Sequence, residues 1–174
     1  MVSHRNYLQS ASYLGYPRCV PAKPRQKRRS GCPVNLSLEI FGDRWSLLIV
    51  RDLMVRGYKT FKEFQNSGEN IATNILSERL VSLEADGILT RSPDPADGRK
   101  LIYRLTEKGI ALAPVVLELL IWGARHNNSG APIPVIDHMA ANRAWVLIEV
   151  HRRWAEHDPT PFLPPFPSTK KEKP

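Results

Sequence analysis

The chain is poor in the residues that build disulfide frameworks and metal centres. Its 174 residues include two cysteines, Cys19 and Cys32; neither lies in a C-x-x-C pair, so no disulfide scaffold can form and the usage fits a reducing compartment. The five histidines are scattered, and no His, Cys, Asp and Glu group has the spacing of zinc ligands. No glycine-rich phosphate loop follows a strand-like run, and "DPADGR" lacks the full loop and terminal glutamate of an EF-hand. Nothing resembles a catalytic constellation, so neither an enzyme nor a bound cofactor or metal is expected. Uncharged apolar runs long enough to span a bilayer are missing, as is an N-terminal apolar signal core. A soluble, intracellular protein without membrane contact is the expectation.

Acidic residues are also missing from one end. Residues 1–31 hold seven Lys/Arg (Arg5, Arg18, Lys23, Arg25, Lys27, Arg28, Arg29) and no Asp or Glu, leaving 18 basic against 17 acidic residues in the remainder. The net charge of +8 is therefore almost wholly a property of the leader. Cations near phosphates release counterions, so "KPRQKRR" suits a nucleic-acid arm; a solvated, disordered leader is the alternative.

With 42% hydrophobic residues the chain supports one core, and no repeat at solenoid or propeller periods is evident. Residues 1–30 read as a basic, disordered extension. Residues 158–174, "DPTPFLPPFPSTKKEKP", carry six prolines and read as a disordered tail. Between them the punctuation is clear. An apolar segment from Val34 to Phe41 stops at Gly42. Asp43 caps a second helix, "RWSLLIVRDLMV", in which Trp45, Leu48, Ile49 and Leu53 recur at helical spacing, and Gly57 ends it. "TFKEF" has the capping-box spacing of Thr60 and Glu63.

The next stretch, "NIATNILSERLVSLEADGIL", predicts a helix over 72–86. On a helical wheel Ala72, Leu76, Leu80 and Leu83 fall within about 80°, whereas Asn74, Ser77, Glu78, Val81 and Ala85 lie opposite. After Gly87 the period changes: "ILTRS" and "KLIYRL" read as strands of a β-hairpin around an Asp97-Gly98 turn. Thr106 then caps a fifth helix. From Ile110 to Ala124 its only charge is Glu118, so this helix should be buried between subunits; Pro114 interrupts it. A sixth helix is expected over about 135–157, packed beside the fifth.

Three helices, a further helix with a free polar face and a hairpin give a mainly α fold with a small β wing, the order of a winged helix-turn-helix. Such folds bind double-stranded DNA or proteins. A protein-interaction module whose basic tail alone touches nucleic acid is thus the competing reading.

"CPVNLSLEIFGDRWSLLIVRDL", "FKEFQNSGENIATNILSERLVSLEADGIL" and "YRLTEKGIALAPVVLELLIWGARH" resemble the HxlR-type family of bacterial transcriptional regulators, relatives of the MarR type. The match runs from about Gly31 to His126. It implies a winged-helix DNA-binding domain over 31–126 and a dimerisation helix over 127–157. The family's homodimers form through N- and C-terminal helices and bind pseudo-palindromic operators, commonly as repressors in the cytoplasm, on the nucleoid.

The resemblance places Thr73, Asn74, Ser77 and Glu78 on the groove-facing front of the recognition helix, with Arg79 at its boundary. Asn can bond adenine twice, Ser and Thr serve bases or phosphates, and Glu accepts from cytosine. For Arg79 an ion pair with a neighbouring helix is the alternative to phosphate contact. On the wing, Arg91, Arg99 and Lys100 would meet phosphate or the minor groove, although Asp94 and Asp97 share the tip and a merely solvated turn is the alternative. The family often has a serine cap before the recognition helix; here Ala72 stands there, so a cap from Asn70 or Thr73 is expected. Cys32 lies where some relatives have a cysteine that senses oxidants, quinones or aldehydes, which makes it a candidate redox-sensing residue, with an oxidant or small molecule as effector. A buried, inert thiol is the competing reading. The leader before Cys32 exceeds the usual family length, either as an arm or through a misplaced start codon.

Overall fold

The computed structural model describes residues 30–163. The basic leader, with Cys19, and residues 164–174 of the expected tail lie outside the described residues. Among the described residues eight helices and one hairpin follow in order: α1 Pro33–Phe41, α2 Ser46–Val55, α3 Phe61–Gln65, α4 Thr73–Ala85, β1 Leu89–Pro93, β2 Leu101–Leu105, α5 Glu107–Ile110, α6 Ala113–His126, α7 Ile133–Ala141 and α8 Arg143–Glu156.

Local chemistry explains most boundaries. Asp43 Oδ1 accepts from the backbone N–H groups of Trp45 and Ser46 at 2.8 and 3.0 Å, covering two donors that the start of α2 leaves unpaired. Gly57, with φ +69°, carries the chain out of α2. At α3 the Thr60–Glu63 capping box is complete. Strands β1 and β2 pair antiparallel, Leu89 opposite Leu105 and Pro93 opposite Leu101. The segment before α3 adds a third rung: Tyr103 N–H donates to the Lys59 carbonyl at 2.7 Å, and Thr60 bridges Ile102. The expected Asp97–Gly98 turn is present, closed by Lys100 N–H to the Asp97 carbonyl at 2.8 Å.

One core joins these elements. Leu76, Leu80 and Leu83 of α4 are buried with Ile49 and Val50 of α2, Phe64 of α3, and Leu89 and Leu105 of the hairpin. Phe64 meets the edge of Tyr103 at 5.9 Å between centroids, fixing α3 against the wing. Thr106 caps α5 through Gly109 N–H, and a Cβ on Gly109 would stand 2.1 Å from the Ile88 carbonyl oxygen. That close approach is the physical reason for glycine in the Leu-Thr-x-x-Gly run.

Several expectations need correction. The fifth helix is two, α5 and α6, because the Pro114 ring excludes the carbonyl of Ile110 from helical geometry. The sixth is also two: Asn142 ends α7 by turning both its backbone N–H and its side-chain Nδ2 back on the His138 carbonyl, at 3.0 and 2.8 Å. Ala72, assigned to the core face of α4, is exposed, since it precedes the first helical turn. The start of α4 has no side-chain cap: Thr73 Oγ1 instead accepts from Gln65, and Asn70 takes a left-handed φ of 58° in the approach to the helix.

Helix α6 divides its apolar surface. Ala113, Leu117, Ile121 and Ala124 are buried within the chain, while Val115, Leu119 and Trp122 are exposed. Its one acid, Glu118, pairs with Arg143 of α8. The hydrogen bond from Arg143 lowers the Glu118 carboxyl below its ordinary value. The Trp154 indole of α8 donates to the Leu105 carbonyl at 2.9 Å, fastening α8 to the end of β2. Residues 158–163, placed by the sequence in the tail, return to α2, where Phe162 and Leu163 N–H donate to the Val55 carbonyl at 2.7 and 3.1 Å.

Candidate nucleic-acid interface

The helix-turn-helix consists of α3, a seven-residue turn and α4. Gln65 Nε2 donates to Thr73 Oγ1 at 2.9 Å across that turn, so the first residue of α4 is oriented by the last residue of α3. Thr73 and Asn74 are exposed, Ser77 and Glu78 half-buried. Because successive residues on one helical face recur three or four apart, Asn74, Ser77 and Glu78 form one flank opposite the buried Leu76, Leu80 and Leu83. The sequence-assigned front is therefore brought together on the accessible side of α4.

Arg79 takes a different place. Its Nη1 stands 3.3 Å from Asp43 Oδ2 and its Nη2 3.0 Å from Glu78 Oε1. Burial alone would raise the Asp43 carboxyl, but the Ser46 hydroxyl, the Trp45 and Ser46 N–H groups and the Arg79 charge hold it below its ordinary value. Asp43 thus caps α2 and pins α4 with one carboxylate. The geometry is that of the ion-pair alternative for Arg79.

The wing cations are paired with nearby acids. Arg91 Nε lies 3.0 Å from Glu84 Oε2, joining β1 to α4. At the tip Asp97 receives Arg99 Nε at 3.0 Å and Lys100 Nζ at 3.4 Å. The hydrogen bond from Arg99, with further help from Lys100, lowers the Asp97 carboxyl to about 2. These pairs are solvent-exposed, with 82% of the Arg99 side chain accessible, so they are weak and a phosphate can compete for the cations.

Sequence reading passed over other exposed cations on the same elements: Arg44 beside the start of α2, Lys62 on α3 and Arg104 on β2. Arg44 lies over the Trp45 ring at 4.9 Å. Lys62 was legible as the polar partner of Phe61 and Phe64 within "TFKEF".

Cys32 is exposed, against the competing reading of a buried thiol, and it is a free cysteine. It occupies the position before Pro33 at the start of α1. Backbone N–H groups of Asn35 and then Val34 lower its pKa from the ordinary thiol value, as a helix N-terminus does for a developing anion.

Among the described residues no cluster of three or more His, Cys, Asp or Glu side chains suits a metal ion, and no helix is long and apolar enough to cross a membrane.

A short helix, a turn, a second helix with an accessible polar flank and an antiparallel hairpin behind it define a winged helix-turn-helix protein. The pattern of the HxlR-like helix-turn-helix family matches residues 40–131, more than half of the chain, and the chain belongs to that family. It is 37% identical over 95 residues to YybR of Bacillus subtilis (strain 168), an uncharacterised HTH-type transcriptional regulator, across 55% of this chain and 75% of YybR. To the HTH-type transcriptional regulator YodB of the same organism it is 40% identical over 92 residues, covering 52% of this chain and 81% of YodB. The structure of the redox regulator HypR in its oxidised form superimposes with a TM-score of 0.50 at 34% identity, covering 56% of this chain and 99% of HypR. The protein is a DNA-binding transcriptional regulator, and its family relatives are regulators rather than enzymes.

Proposed function

We propose that the protein is a homodimeric, sequence-specific repressor that reads pseudo-palindromic operators on the nucleoid, in the cytoplasm, and responds to oxidants through Cys32. The observation that carries the DNA reading is the accessible polar flank of α4. Thr73, Asn74, Ser77 and Glu78 supply the donors and acceptors that major-groove edges require, while the wing cations Arg91, Arg99 and Lys100 supply phosphate contacts. Arg79 serves mainly to hold α4 on Asp43. Dimerisation is supported by apolar stripes at helical spacing, Val34 and Leu38 on α1 and Val115, Leu119 and Trp122 on α6, all exposed in the single chain.

For Cys32 the support is its exposure, its lowered pKa and the likeness to a redox regulator. The thiolate attacks one oxygen of a peroxide, forming a sulfenic acid and releasing the other oxygen as hydroxide or alkoxide. The decisive experiment is a gel shift against the promoter beside the protein's own gene. Specific retardation that survives deletion of residues 1–30 and disappears with Asn74→Ala plus Ser77→Ala supports the reading. Retardation lost with the leader alone would assign nucleic-acid binding to the tail instead.

A further inference from the structure

Between the winged-helix core and the C-terminal helices lies a half-open cavity of about 420 Å³. Its walls come from α2, α6 and α8 and from the returning segment at Phe162 and Leu163, with Met54, Leu117, Leu120, Val146 and Val150 among the apolar side chains. The segments that close it, α7, α8 and residues 158–163, lie beyond residue 131, where the family pattern ends. The polar residues of its lining are Arg51, Arg56, Asn127 and Ser129. The guanidinium of Arg56 is committed to Asp52 at 3.1 Å and that of Arg51 to Asp52 and Glu69 at 2.7 and 3.0 Å.

The cavity has the size and character of a small-molecule site, which is typically 300–1,000 Å³, mostly apolar, with few polar groups. Two features mark it as more than a packing gap. Gly123 of α6 lines it, and a Cβ there would meet no atom within 4 Å, so the wall opens onto unfilled space. Arg51, another wall residue, donates to Glu69 in the turn that aims α4. A molecule seated against the Arg51 stem therefore acts on a side chain that reaches the turn leading into α4.

We infer that this cavity binds a neutral, largely hydrocarbon or aromatic small molecule, and that occupancy alters operator binding through the Arg51–Glu69 pair. The site is separate from Cys32. Its regulatory part rests on the DNA reading above; its binding part does not.

The neutral fluorophore N-phenyl-1-naphthylamine serves as the probe, titrated into the full chain. Saturable binding at one site per chain is expected. Gly123→Leu, which places a side chain in the empty space and favours the helix, should weaken binding at least tenfold while leaving thermal stability equal or higher. Arg51→Met should keep the probe site but remove the probe's effect on promoter affinity, expected to be a threefold or greater change in the wild type. Absent saturation, or binding indifferent to Gly123→Leu, would overturn the site. The same holds if Gly123→Leu blocks no probe but converts a dimer to monomers, because the cavity is then a groove between copies. Probe binding with unchanged promoter affinity would overturn the effector role. A wild type that binds probe but no promoter would instead defeat the operator reading and leave the site standing.

Discussion

The Asp43 carboxylate and the Arg79 guanidinium stand 3.3 Å apart across 36 positions of sequence, each side chain about a quarter exposed. The recognition helix is thus held on the start of α2 by the acid that caps it. Asp43→Ala should cost about 1–2 kcal/mol at neutral pH through removal of the cap and the pair, and Arg79→Ala about 0.5–1 kcal/mol, both measured by urea unfolding. If Arg79→Ala leaves stability unchanged but lowers the salt dependence of DNA binding, the cation belongs to phosphate instead.

The same carboxylate sets a pH dependence. Asp43 and Glu63 both lie below their ordinary values in the folded chain, so their stabilisation is complete above the unfolded carboxylate range near ~4 and is lost as pH falls through the folded values. Asp52 acts oppositely. Burial raises it despite the adjacent Arg51 and Arg56, so its protonation favours the folded state as pH falls. The cost of Asp43→Ala should accordingly shrink on acidification from pH ~5 to ~2. A cost independent of pH would show that the cap works without its charge.

Asn74 and Ser77 offer hydrogen bonds to base edges with no charge of their own. Their joint replacement by alanine should cost roughly 1–3 kcal/mol for each base they recognise well, while binding to unrelated DNA stays near the wild-type level. Competition titrations with operator and scrambled duplex separate the two.

Arg99→Ala and Lys100→Ala should weaken operator and scrambled duplex alike. Each should lower the slope of log affinity against log salt by about 1. An unchanged slope would return the tip to the status of a solvated turn closed by Asp97.

Cys32→Ser should abolish release from DNA by peroxide or quinone and remove maleimide labelling at position 32, followed by mass spectrometry. Unchanged release in this variant would sink the sensor reading of Cys32.

Trp122 is 60% exposed on α6, beside Leu119. Trp122→Asp should leave the fold intact by circular dichroism and convert a dimer to monomers in sedimentation equilibrium. A dimer that persists would exclude this stripe as the interface.

Much of the architecture was legible because it rests on local chemistry. The Thr60–Glu63 box, the Gly57 stop, the Asp97–Gly98 turn and the Leu76, Leu80 and Leu83 stripe each depend on neighbours within a few residues. What was missed depends on distant partners. The start of α4 looked as if it needed a cap from Thr73, yet that hydroxyl is taken by Gln65, eight residues back. The interruption at Pro114 was legible, although not that it yields two helices, whereas continuous apolar periodicity on both sides of Asn142 concealed the break after α7. The wing cations were visible as residues, whereas their pairing with Asp97 and Glu84 needed the hairpin's geometry. No periodicity could show that Phe162 and Leu163, in a proline-rich run, return to the Val55 carbonyl.

The bond from the Trp154 indole to the Leu105 carbonyl ties the last helix to the foot of the wing. The hairpin is held from several sides, by α8 at the end of β2, by Lys59 at Tyr103 and by Glu84 at Arg91. A helix that lies outside the family pattern therefore shares the foothold of the wing, so that loosening the one loosens the other.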